Sequence, residues 1–472
     1  MTTIAIRLAS AATCVLAASA AAQLPASAPA RPFGTQREQA ETQQRWLKRR
    51  METVLPALMR KHGVDLWVIP MREYNEDPVF SSIVSPTTFA ARRRTIYVFF
   101  DKCAMAATVD PGDGSCIERL ALGGNSQGGI YKDYHAKKVI ENPVNGRQAE
   151  LWGDAQWLLL REVIEERNPK VIGINVSRTH AFSDGLTAGE LEGMTLMLGK
   201  KWASRFKRAE ALPLELIASR LPEEEEFYGR LTQQVHALIG RMFSSAVITP
   251  GVTTTQDLVW WWRQQLNDLG LGTWFQPSVD IQRKGMRPEQ LGEHPVILAG
   301  DLLWCDVGIT ALGLNTDTQH NGYVLKDGET EAPVGLRKAL ANSNRLQDIL
   351  FALVRPGRTG NEILRATLAT LKAEGISGTM YSHPIGKHGH GAGPIIGLWD
   401  FQEGVPGRGD AKVIPSMWFS SELQTTSPIP EWGGQPVRVA QEEDFFVGAD
   451  GTPRWAYKRQ SEYHLVRPRV TP

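Results

Sequence analysis

Residues 36–62 place Trp46, Leu47, Met51, Val54, Leu55 and Leu58 at helical spacing, and Gly63 closes the run, so the pattern predicts a helix there. The runs D-L-W-V-I-P and R-T-I-Y-V-F-F are short, continuous and rich in branched and aromatic residues, which predicts buried strands, with a third at R-L-A-L. Helical spacing returns in L-W-G-D-A-Q-W-L-L-L-R-E-V-I-E-E-R and leads into a strand at K-V-I-G-I-N; L-P-L-E-L-I-A reads as a further strand. Alternating strands and helices predict an α/β domain over residues 35–218.

The motif L-P-E-E-E-E opens a long helix running to about residue 246, its acids placed where a first turn favours negative charge. This helix starts a second domain, 219–472. T-P-G-V-T-T-T-Q-D then predicts a turn and a capped helix carrying Trp260, Trp261 and Trp262, three adjacent rings that cannot share one face, so that at least one is expected to meet another domain or subunit. Two more helices are expected at 334–353 and 361–374, separated by Pro356 and Gly357. A chain of 472 residues exceeds what one core organises, in agreement with two domains.

Charge changes the picture by exclusion. Lys plus Arg number 52 against 51 Asp plus Glu, so no global field selects nucleic acid or an acidic membrane surface, and neither is an expected partner. Residues 1–22 carry one positive charge, an Ala-rich apolar run and an A-x-A ending; they read as a secretory signal cleaved after Ala22, with 23–34 as leader. The expected location is therefore periplasmic or extracellular. In such a compartment Cys103 and Cys116, flanking a Pro- and Gly-containing loop, are expected to form a disulfide worth about 3 kcal/mol. Cys305 should face away from its neighbour Asp306, because successive strand residues point to opposite faces.

Candidate chemistry centres on W-C-D-V-G-I-T-A-L-G-L-N-T-D-T-Q-H-N-G, where Asp306 and Asp317 stand eleven positions apart on two runs able to fold as a hairpin. Two close carboxylates stay ionised only with a cation between them. Downstream, S-H-P-I-G-K-H-G-H-G-A-G-P holds His383, His388 and His390, and Glu422 and Glu442 lie in S-S-E-L and Q-E-E-D-F-F-V. Oxygen donors with imidazole suit divalent ions such as manganese, zinc or cobalt.

That order of motifs resembles the M24 metallopeptidases of the creatinase, or pita-bread, fold, over about residues 221–472, and G-I-N-V-S with D-G-L-T resembles their N-terminal domain. The resemblance implies a mixed α/β (α+β) architecture: a creatinase-type N-terminal α/β domain followed by a pita-bread catalytic domain. It implies two divalent ions held by Asp306, Asp317, His383, Glu422 and Glu442, with His390 and His294 on the substrate side and Glu422 also moving a proton. An alternative alignment makes His390 the ligand, and another takes Glu443 in place of Glu442. The implied activity is hydrolysis at an N-terminal residue followed by proline, by an aminopeptidase or dipeptidase acting on a proline-containing peptide, in a homodimer. A non-peptidase hydrolase on the same metal site, or a secreted binding protein with a degenerate site, are the competing readings. Departures are Leu423 for the proline after the first glutamate, Gln319-His320 for Thr-Arg, and Pro288 and Glu289 where the family carries a substrate-side histidine.

Overall fold

The computed structural model describes residues 31–104, 114–134 and 153–467; the expected signal segment and most of the leader lie outside them. In the first domain, helix α1 (Gln36–Lys61) starts at Thr35, whose side chain accepts from Glu38 N while Glu38 returns a bond to the Thr35 backbone. Its apolar face packs on strands β1 (Leu66–Arg72), β2 (Arg94–Asp101) and β3 (Ile117–Leu122). With β4 (Lys132–Tyr134), β5 (Ile172–Ile174) and β6 (Phe206–Arg208) these form one mixed sheet in the order β4-β3-β2-β1-β5-β6. Short α2 (Phe80–Ile83) follows β1, and α3 (Gly153–Arg167), α4 (Ala188–Leu198) and α5 (Lys200–Ala203) cover the other face. Both sheet faces are buried, as the unbroken apolar runs of β1 and β2 require. Cys103 and Cys116 are disulfide-bonded, with Cα atoms 5.6 Å apart.

One element differs from its expectation. L-P-L-E-L-I-A is helix α6 (Ala211–Ala218), not a strand. Its run is apolar on nearly every side, so periodicity did not separate a buried helical turn from a buried strand.

The second domain begins with α7 (Pro222–Met242), opened by Pro222 and by Glu224 bonded to the Leu221 backbone. Helix α8 (Thr255–Leu269) buries Trp262 in the core, while Trp261 is partly buried and Trp260 is exposed beside Arg263. These helices pack on a sheet ordered β19-β11-β8-β7, made of β7 (Ser278–Gln282), β8 (Leu302–Val307), β11 (Thr318–Val324) and β19 (His464–Val466). A small hairpin of β9 (Thr310–Ala311) and β10 (Leu314–Asn315) joins β8 to β11. Helices α9 (Val334–Leu353) and α10 (Gly360–Ala373) cover a second curved region. There β12 (Ser377–Met380), β15 (Leu423–Ile429) and β16 (Gln435–Gln441) form one sheet, and β13 (His383–Pro384), β14 (Met417–Ser420), β17 (Asp444–Val447) and β18 (Pro453–Trp455) another. Among the described residues no helix is long and apolar enough to cross a membrane.

Candidate metal centre

Strands β8 and β11 run antiparallel with Asp306 opposite Gln319, so these two side chains share a face. Cys305 points the other way into the helical core. Gly308 lets the end of β8 turn close to the backbone before Asp317: a Cβ there would stand 2.5 Å from Thr316 O. Gln319 and Glu442 exchange two backbone hydrogen bonds of 3.1 Å, which fastens this sheet to the segment between β16 and β17. On the facing sheet His383 lies opposite Ser420, and Ser420 Oγ donates to Glu442 Oε1 at 2.6 Å. Glu422 sits between β14 and β15, its carbonyl accepting from Tyr381 N.

The five side chains converge. His383 Nε2 stands 3.4 Å from Glu442 Oε1, 3.6 Å from Glu422 Oε2 and 3.8 Å from Asp317 Oδ2. Oxygens of Asp306, Asp317 and Glu442 lie within 4.8 Å of one another. Gln319 Nε2 donates at 2.8 Å both to Glu422 Oε1 and to Glu442 Oε2, and Trp304 Nε1 donates to Gln319 Oε1 at 3.1 Å, which fixes the amide's orientation. Three atoms of this cluster, Asp306 Oδ1, Asp317 Oδ1 and His383 Nε2, are buried without a hydrogen-bond partner among the described residues.

Four carboxylates around one imidazole are electrostatically incomplete. Burial, then the charge of Glu442, pushes the carboxyls of Asp306 and Asp317 well above the usual range, and burial raises that of Glu422. Glu442 is pushed up to about 7 by burial and by Glu422. For His383, burial opposes the charge, but the carboxylates of Glu422 and Glu442 beside it outweigh burial and lift the ring to about 10. Such a set of groups holds protons where cations belong, and its orphaned O and N donors match the ligand chemistry of divalent metal ions.

The histidines separate by position. His390 lies beside His383, ring centroids 4.7 Å apart, and between Trp274 at 5.0 Å and Tyr381 at 5.4 Å. It keeps an exposed edge, and burial of the rest with repulsion from His383 and Arg408 pushes it down to about 4, so it is neutral at neutral pH. His388 turns away onto Phe182, at 4.8 Å. His294, expected on the substrate side, is not brought to the cluster: its side chain is 48% exposed and its near charged neighbour is Glu293, at 3.9 Å. The adjoining Pro295 and Ile297 are held in a loop bonded to Thr255 and Thr253, at the start of α8.

Glu443 faces away from the cluster. His236 Nε2 and His320 Nε2 hold its two oxygens at 3.0 and 2.9 Å, and Gln460 N donates to Oε1 at 2.7 Å. Burial works to raise its carboxyl, but His320 and His236 keep it at about 2. Sequence reasoning did not assign roles to Gln319, Trp274, Tyr381 or Asp444. Asp444 Oδ2 accepts from Tyr228 Oη and from Asp317 N, which steadies Asp317 from behind. For Asp444 the signal was its place in E-E-D; for Gln319 it was the departure from Thr-Arg; the two aromatics gave none.

Residues 229–448 match the family model described as metallopeptidase family M24. Among curated proteins none matches the chain. Solved structures of the same fold include the X-Pro aminopeptidase of Thermotoga maritima MSB8, with a TM-score of 0.56 and 13% identity over 87% of this chain and 99% of that one. The Xaa-Pro dipeptidase of Bacillus anthracis gives a TM-score of 0.54 and 16% identity over 90% and 99%. The prolidase of Pyrococcus furiosus gives 0.51 and 15% over 86% and 100%. These likenesses extend the shared fold across both domains.

Proposed function

Because residues 229–448 match the model of metallopeptidase family M24, we propose that this chain is an exported peptidase using two divalent ions to hydrolyse the bond between an N-terminal residue and proline. The observation that carries this reading is the convergence of four carboxylates and His383, with three buried ligand atoms left unpartnered. Asp306, Asp317, His383, Glu422 and Glu442 would hold the ions, manganese first and zinc or cobalt as alternatives. Ions in such a site supply hydroxide near neutral pH and polarise the scissile carbonyl.

The chain's own groups then divide the work. Gln319 occupies Glu422 Oε1, leaving Oε2 to accept a proton from the attacking water and return it to the leaving amine. Neutral His390 donates an N–H to the carbonyl oxygen as negative charge develops there. Trp274 and Tyr381, packed on His390, hold its ring in place. Export is supported by the secretory-signal pattern of residues 1–22 and by the Cys103–Cys116 disulfide, a bond that persists in oxidising compartments.

The test is hydrolysis of Xaa-Pro dipeptides, Xaa-Pro-Yaa tripeptides and proline-free controls by metal-stripped protein, with and without manganese, cobalt or zinc. Metal-dependent cleavage of dipeptides alone makes the activity a dipeptidase; cleavage of tripeptides makes it an aminopeptidase. Asp306→Asn should abolish either while leaving the fold intact, and a fully active variant would overturn the assignment. The position of His294, away from the cluster, favours one second reading, a hydrolase of another substrate class on the same metal site, which predicts bound metal without cleavage of any peptide in the panel.

A further inference from the structure

A cavity of about 430 Å³ opens between the two domains, and none of the residues of the carboxylate cluster lines it. Its charged wall holds Arg50, Glu224 and Lys387. Arg50 is committed: it donates to Leu216 O, to Ser219 O and to both oxygens of Glu224. Lys387 is not. Its ammonium stands beside the β9–β10 turn, where a Cβ on Gly313 would lie 3.3 Å from Nζ, and it makes no hydrogen bond or ion pair among the described residues. Arg220, 4% exposed, lies behind and adds a third cation. Three cations against the single carboxylate of Glu224 leave this half-open cavity with excess positive charge, and charge drawn away from water demands a counterpart. Burial pushes Lys387 down to about 8, opposed by Glu224 and reinforced by Arg50 and Arg220.

Another part of the wall is apolar, built by Phe80, Val84, Pro86 and Phe89 of the first domain. Ser82, in the same wall, has a buried hydroxyl without a partner. We propose that this cavity is a binding site for a small organic monocarboxylate with an apolar body, its carboxylate on Lys387 Nζ and its body along Phe80, Val84 and Phe89. A carboxylate there completes a charge-assisted hydrogen bond that no group among the described residues supplies, and the apolar wall gains from covering hydrocarbon. The occupant rests on the loop that leads to His390, since Asn315 Nδ2 ties Lys387 O at 3.0 Å and Gly386 O at 3.1 Å to the strand entering Asp317.

The test is calorimetric titration of the intact protein with hydrocinnamate and with its neutral isostere, hydrocinnamide. The acid should bind saturably and the amide at least ~10-fold more weakly. Lys387→Met should weaken the acid by a similar factor, whereas Asp306→Asn, altered in the carboxylate cluster, should bind it as the native chain does. Equal binding of acid and amide, or no heat with either, overturns the site. Loss in Asp306→Asn with retention in Lys387→Met would place the carboxylate at the metal centre and also overturn it. If Lys387→Met fails to fold, the comparison of acid and amide in the native chain decides alone. None of these readouts requires peptidase activity, so failure of that function and failure of this site are told apart.

Discussion

Arg50 on α1 meets Glu224 in the first turn of α7 through two hydrogen bonds of 3.0 Å, one to each carboxylate oxygen, with both side chains buried. The pair crosses from the first domain to the second, and Glu224 also accepts from Leu221 N at the start of α7. Removing one partner strands the other's charge out of water. Arg50→Met should destabilise the chain by about 3–5 kcal/mol in urea unfolding, and adding Glu224→Gln to it should recover a large part of that loss. Equal stability of Arg50→Met and the native chain would show the pair to be energetically idle.

Gln319 is the group that orients two expected ligands at once, and Trp304 orients Gln319. Such supporting contacts tune ligands without touching the ion. Gln319→Ala should lower metal affinity or activity roughly 10- to 100-fold, with the fold unchanged by circular dichroism. Metal titration followed by activity at saturating metal separates the two effects.

Bound metal should stabilise the chain more as pH rises. In the stripped protein Glu442, raised from 4.5 to about 7, stays protonated in the folded state over a range where the unfolded chain has ionised, so stability falls as pH rises through that range. His383, raised from 6.5 to about 10, contributes stability in full below 6.5 and loses it as pH climbs towards 10. Both act in the same direction. The gain in melting temperature that manganese gives over chelator should therefore grow with rising pH, because both contributions are lost from the chelated protein while the ligands become deprotonated and bind. A manganese effect that shrinks with rising pH would contradict the charge balance described.

His390 and His383 should part company on substitution. His383→Ala should lose bound metal. His390→Ala should keep it, while kcat falls roughly 100- to 1,000-fold, as for removal of a donor to a developing oxyanion. Metal analysis beside steady-state kinetics reads both. Loss of metal in His390→Ala would instead make that residue a ligand.

Much of the chain was legible in its sequence because the signals are local. Helix α9 lies where its apolar spacing puts it, β1 and β2 follow their apolar runs, and Asp306 and Asp317 lie on segments that do come together. Where a run is apolar on every side, as in α6, the same signal is silent between helix and strand. His294 shows the other limit: its nearness in sequence to the expected position carried no information about the loop that holds it at the surface.

The sequence by itself determined the two-domain α/β plan and the types of residue available for a metal centre, since spacing and composition act within short segments. Only the tertiary structure decided which of two adjacent carboxylates joins the cluster. Glu442 turns towards His383, and Glu443 turns to His236 and His320, because neighbouring residues on an extended chain face opposite sides. The face that meets the cluster is set by the pairing of Gln319 with Glu442, a contact between residues far apart in the chain.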